Sequence, residues 1–149
     1  MKFTSLVVFL FASIVFAKNK VLYTVDTVPL DEKEPKVELR VLTDFKIPTS
    51  RLIDTGRFSY ASSNDFIAYV KENVKESPLY IITNFQTLSK VLIAEKVSEF
   101  RIENNVLFYV QNEKEGDKIV SVLYAISDFK TLIKHKVQHG LNSFRVDVN

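Results

Sequence analysis

Residues 85–102, FQTLSKVLIAEKVSEFRI, align without a gap on residues 129–146, FKTLIKHKVQHGLNSFRV. Phe, Thr, Leu, Lys, Phe and Arg recur in place, and three further positions exchange one aliphatic residue for another. Ordinary composition would supply about one identity over that length, so the two stretches read as copies. A repeat of this kind is one supersecondary unit that buries its apolar face only by stacking on its neighbours.

Two more blocks carry the repetition through the chain. NKVLYTV (19–25), NDFIAYV (64–70) and NNVLFYV (104–110) coincide at every apolar position, and VLTDFK (41–46) returns as IITNFQ (81–86) and AISDFK (125–130). Phe45, Phe85 and Phe129 are spaced 40 and 44 residues apart, and Phe58, Phe100 and Phe144 are spaced 42 and 44. These six phenylalanines are read as structural positions, because a scaffold is what repeats share.

Within each period the apolar runs are short, rich in Val, Ile, Tyr and Phe, and separated by Asn, Asp, Ser, Gly and Lys, as strands and tight turns require. The second period predicts strands at Arg57–Tyr60, Asp65–Glu72, Pro78–Asn84 and Lys90–Lys96. The third predicts Phe100–Glu103, Val106–Asn112, Ile119–Ser127 and Leu132–Val137. The first has no opening strand and predicts Val21–Thr27, Glu38–Thr43 and Arg51–Asp54; Ser143–Val148 is a spare copy of the missing strand. Leu79–Ile82 and Val106–Val110 are apolar on both alternating faces and should be buried on both sides. Leu132–Val137 alternates charges, as an outer edge strand does. Asp44, Asn84 and Asp128 are placed to bond the backbone two residues on and close a turn.

Four-stranded antiparallel units of this length resemble the blades of a β-propeller, in the degenerate form of extracytoplasmic bacterial repeats. The resemblance covers nearly all of residues 20–149 and is architectural: the Gly-His and Trp-Asp signatures of WD repeats and the sialidase Asp-box are absent. It implies an all-β fold of three blades at about 20–57, 58–99 and 100–142, with a closing strand at 143–148. Propellers typically have about four to eight blades, so three imply a partial ring or one completed by association. Two chains forming a six-bladed ring is the simplest form, and a fragment of a longer propeller is the rival. An aromatic or Arg recurring once per blade is how propeller lectins build sugar pockets, which makes Arg40, Tyr80 and Tyr124 the candidate ligand contacts.

The first 17 residues read as an export leader: Lys2, an apolar run from Leu6 to Phe16, and small residues Val15 and Ala17 before the cut. Phe3 to Ala17 is shorter than the roughly 20 residues a membrane helix needs. The mature chain, 18–149, is expected in a periplasm or outside the cell, with no membrane span. It carries 19 basic and 18 acidic side chains, which select no anionic partner and argue against nucleic acid.

Chemistry is sparse. There is no cysteine, so no disulfide or thiolate site contributes. The three glycines stand singly at 56, 116 and 140, which rules out a Gly-rich phosphate loop, and no nucleophile motif occurs. His135 and His139 are four apart, a metal spacing on a helix, but they fall on a predicted strand before Gly140. The acidic runs Asp31–Glu34 and Glu113–Asp117 read as solvated hairpin loops, and the Pro29–Lys36 loop as the longest insertion and a place for partner contact. No metal, no cofactor and no enzyme activity is expected. The function expected is a non-catalytic scaffold binding a protein or a glycan. A lipocalin-like barrel carrying a ligand is the alternative from another class.

Overall fold

A computed structural model describes residues 15–17, 20–27, 36–43, 49–72 and 74–140. Among them the chain is all-β, with twelve strands in three antiparallel sheets of four. Sheet 1 is β1 (Val15–Ala17), β2 (Lys20–Thr27), β3 (Lys36–Leu42) and β4 (Ser50–Thr55). Sheet 2 is β5 (Arg57–Ser62), β6 (Ile67–Glu72), β7 (Leu79–Ile82) and β8 (Val91–Ala94). Sheet 3 is β9 (Val97–Glu103), β10 (Val106–Glu115), β11 (Lys118–Ile126) and β12 (His135–His139). Each sheet is a meander in chain order with two open edges. This is no closed barrel, which removes the lipocalin-like alternative: a barrel needs its first and last strands paired.

All eleven strands expected from the repeat are present, with two differences. The last strand is His135–His139 instead of Leu132–Val137, which restores the 44-residue offset from Val91–Ala94. The Glu113–Asp117 run is not a loop. Glu113, Lys114 and Glu115 continue β10, opposite Val120, Ile119 and Lys118, and only Gly116 and Asp117 turn. Gly116 takes φ 59° at the first central position, as a type II′ hairpin demands. Strand β1 lies on the stretch read as the end of the leader. It holds just three residues against β2, with Val15 opposite Leu22 and Ala17 opposite Lys20. Asp44, Phe45, the loop after Thr27 and the closing strand with Phe144 lie outside the described residues.

The chain divides into two compact units, Met1–Phe58 and Ser59–Asn149. In the first, Leu22, Leu39 and Val41 share one buried face of sheet 1. Its opposite face carries Tyr23, Glu38 and Arg40. In the second unit one core cluster joins sheets 2 and 3: Ala68, Val70, Leu79 and Ile81 pack with Leu107, Tyr109 and Ile126. On the other face of sheet 2 Ile67, Tyr69 and Ile82 are fully buried too, as the doubly apolar sequence of β7 requires, while Tyr80 is half-buried and Leu92 beside it is 48% exposed. On sheet 3 the face opposite the cluster carries Val110 and Leu123, both buried, beside half-buried Phe108.

Repeat positions do repeat structural jobs. Asn84 Oδ1 accepts from the Gln86 and Thr87 amides, and Asp128 Oδ1 accepts from the Lys130 amide while Oδ2 accepts from Thr131 Oγ1. Each turn closes by an amide of a left-handed leucine, Leu88 (φ 55°) or Leu132 (φ 57°), donating to the carbonyl four residues back. Phe129, in the second of these turns, stacks on fully buried Phe66, just before β6, with ring centroids 3.8 Å apart. Phe85 is half-buried at the matching place, and Phe100 and Phe129 pack against the core cluster. A third recurring device ends the outer strand of each sheet: Gly56 (φ 133°), Lys96 (φ 58°) and Gly140 (φ 73°) all turn with positive φ. Their amides donate to the carbonyls of Val37 on β3, Glu76 in the loop before β7 and Ser121 on β11.

Candidate functional site

Arg40, Tyr80 and Tyr124 occupy the same place in their sheets, on the third strand, directly opposite Tyr23, Tyr69 and Tyr109. Their surroundings are those of strand-packing side chains. Arg40 donates from Nε to Glu38 Oε2 at 2.7 Å and from Nη1 to Ser50 Oγ at 3.2 Å. Tyr80 stacks on Tyr69 at 5.3 Å, with Lys90 Nζ 5.9 Å from its ring centre. Tyr124 stacks on Tyr109 at 5.4 Å and donates its hydroxyl to Glu113 Oε1 at 2.5 Å. That bond to a carboxylate, reinforced by burial, raises the Tyr124 hydroxyl to about 12. Tyr109 is raised further, first by burial, and its hydroxyl is buried with no hydrogen-bond partner. None of the three expected contacts lines either of the cavities described next.

Those cavities lie in the second unit, at the end of sheets 2 and 3 where the β6–β7 loop, the β8–β9 turn and the β10–β11 hairpin emerge. The first, about 440 Å³, is lined by Ser59 on β5, Val70 and Glu72 on β6, Ser77, and Val97, Ser98, Glu99 and Phe100 on β9. The second, about 760 Å³, shares Ser77, Val97 and Ser98 and runs on to Lys75, Glu76, Lys96 and the hairpin from Asn112 to Ile119. Both fall in the size range of ligand sites. The two adjoin each other at Ser77, Val97 and Ser98.

Backbone geometry fixes the place where the two cavities adjoin. Ser77 (φ 36°) and Lys96 (φ 58°) are both left-handed, and the Val97 amide donates to the Ser77 carbonyl at 3.2 Å, tying the β6–β7 loop to the β8–β9 turn. One wall of the second cavity is the hairpin extension beyond the body of sheet 3. At its base Ser121 Oγ donates to Asn112 Oδ1 at 2.9 Å, and near its tip Ile119 is 77% exposed.

Among the described residues no three His, Cys, Asp or Glu side chains come together to hold a metal. His135 and His139 lie on one exposed edge strand, and His139 Nε2 meets Glu115 Oε1 at 2.8 Å.

No protein-family profile matches the chain, and no curated protein is similar to it. Among solved structures it is similar to the acylaminoacyl peptidase of Pyrococcus horikoshii in its orthorhombic crystal form. The TM-score is 0.60 at 12% identity, over 89% of this chain and 25% of the peptidase. The chain thus spans about a quarter of that protein's length. At this identity the similarity shows a shared fold and moves no activity or residue from one to the other.

The cavities escaped the sequence reading because most of their residues are single positions that form no motif, while Phe100 and the Glu113–Asp117 run carry other readings. One signal was in the numbers. Tyr69 and Tyr109 are 40 residues apart while Tyr80 and Tyr124 are 44 apart, so the third repeat carries four extra residues between those strands. They build the extended hairpin that walls the second cavity.

Proposed function

We infer that the chain is an exported, non-catalytic binding scaffold, its three sheets arranged as blades of a propeller-type array, which holds a protein or glycan ligand at the loop end of sheets 2 and 3. The observation that carries this reading is the pair of adjoining cavities at this end, the larger walled by the extended hairpin. The turns at Asn84 and Asp128 and the tyrosine stacks shared by sheets 2 and 3, with the positive-φ corner in all three sheets, support the blade arrangement, since stacked copies are what such a period needs. The test compares capture of ligands from the native medium by the unaltered protein, by Ile119→Asp and by Ser98→Trp, which fills the space where the two cavities adjoin. Loss of one specific ligand in both variants, with unchanged circular dichroism, is the expected result. Equal capture by all three would end the reading.

Self-association is a second reading with its own observation. Residues 143–147, SFRVD, copy 99–103 of β9, EFRIE, and the matching place beside β2 is held by three residues of the stretch read as leader. Cleavage after Ala17 would open that edge to a longer strand from the same chain or a second copy. Sedimentation of the chain beginning at Lys18 decides between a monomer and a dimer.

A further inference from the structure

Sheets 2 and 3 pack through two different faces, and each of those faces has a copy elsewhere in the chain. Sheet 2 offers Ala68 opposite Ile81 and Val70 opposite Leu79. Sheet 3 meets them with Leu107 opposite Ile126 and Tyr109 opposite Tyr124. The receiving face of sheet 2 recurs on the far side of sheet 3, where Phe108 lies opposite Ala125 and Val110 opposite Leu123. These stand 40 residues on from Ala68 and Val70 and 44 on from Leu79 and Ile81. Val110 and Leu123 are buried, but Phe108 and Ala125 are half-buried, and no sheet follows sheet 3 among the described residues. The docking face of sheet 3 recurs on sheet 1, as Val21 opposite Leu42 and Tyr23 opposite Arg40. All four are half-buried, whereas Leu107, Tyr109 and Ile126 are fully buried. Leu52, the cross-strand neighbour of Arg40, is 46% exposed.

We propose that the far face of sheet 3 receives sheet 1 of a second copy of this chain, in the way that sheet 2 receives sheet 3. A repeat unit buries its apolar face only against the next unit, and here one receiving face and one docking face each stand half open. The occupant is this chain itself, because sheet 1 carries the same facing positions that sheet 3 uses on sheet 2. Residues 141–147 add a second reason. They repeat β9 at an offset of 44, with Leu141, Phe144 and Val146 in place of Val97, Phe100 and Ile102, the β9 side chains at the core joining sheets 2 and 3. They leave the Gly140 corner as β9 leaves the Lys96 corner, so they supply the first strand of the sheet that covers sheet 3. The two faces differ, so the contact is head to tail, each copy receiving the other. This assignment rests on the self-association reading and names its surface.

The chain has no cysteine, so introduced cysteines report the contact without background. Tyr23→Cys and Ala125→Cys, each made from the whole sequence, are co-expressed and treated with a bis-maleimide about 10 Å long, the spacing of packed sheets. The mixture should give a covalent pair of chains, and neither variant should do so alone. In sedimentation the unaltered protein should run as a dimer. Ala125→Glu, which places a charge in the contact, should raise the dimer dissociation constant at least tenfold with unchanged circular dichroism. If Ala125→Glu does not fold, the uncharged cysteine pair decides alone. A monomeric unaltered protein overturns the interface and the self-association reading together. A dimer with no mixed cross-link, or one that folded Ala125→Glu does not weaken, overturns this interface and leaves self-association standing. Pairing by one variant alone marks a symmetric contact and overturns it as well. So does a link confined to single chains of the double variant, since the chain's own sheet 1 then covers sheet 3.

Discussion

Lys96 is the lysine among glycines. It holds the corner between β8 and β9 at φ 58°, where the other two sheets place Gly56 and Gly140 at positive φ. A side chain in this conformation costs about 1 kcal/mol or more. The Lys96 side chain returns little: it is 57% exposed and its ammonium is 3.6 Å from Glu76, a surface pair worth about 0.5 kcal/mol at most. Lys96→Ala removes the pair and keeps the strained backbone, whereas Lys96→Gly removes both. The difference between the two variants isolates the backbone, and Lys96→Gly should exceed Lys96→Ala by about 1 kcal/mol, or roughly 2–4 °C in Tm. The inverse experiment is Gly140→Ala. A Cβ there meets nothing within 4 Å, so its expected cost, again about 1 kcal/mol, is purely conformational. Urea unfolding followed by tyrosine fluorescence and circular dichroism measures all three. Lys96→Gly no more stable than Lys96→Ala, together with a neutral Gly140→Ala, would refute the claim that this corner is one structural device in every sheet.

Phe129→Ala empties the space against Phe66 and should cost about 2–4 kcal/mol in urea unfolding, well above Lys130→Ala next to it. The Asp128 carboxylate is held below its ordinary range, first by the Lys130 amide and then by the Thr131 hydroxyl. Its stabilising effect is therefore present above the unfolded value, near pH 4, and lost as pH falls through the folded one; Asp128→Asn should flatten the acid limb of a Tm-against-pH curve. For Tyr124 the sign is opposite. A hydroxyl raised to about 12 contributes stability that is complete below pH 10 and fades as pH climbs toward 12. Absorbance at alkaline pH should show it ionising after the exposed tyrosines, and Glu113→Gln should bring it back toward them.

The strand order was legible from the repeat alone, because apolar runs of VLFYV and LYII type and the Asp-Phe turns recur at a fixed offset. Buried residues of β7 and β10 and the Asn84 and Asp128 turns followed from alternation and side-chain reach. Lengths were harder. Glu113-Lys-Glu-Gly-Asp reads as a loop by polarity, yet Glu115 opposite Lys118 and Lys114 beside Ile119 are good cross-strand neighbours, so the ribbon runs on past the core. The cavities were not legible, since hydroxyls and carboxylates at strand ends look like any solvated turn until two sheets bring them together. Lys96 also hid its role. Only comparison with Gly56 and Gly140 shows that the backbone, not the side chain, is what that position repeats.

The four-residue lengthening of the third repeat has an engineering consequence. It enters between Tyr109 and Tyr124, adds two facing pairs to the ribbon, and leaves the tyrosine stack and the corner at Gly140 in register. A natural insertion has thus already been accommodated at this tip without disturbing the layers beneath. Foreign epitopes or affinity tags spliced between Gly116 and Asp117 should be displayed on the folded protein, making the hairpin a ready point of attachment for reporters.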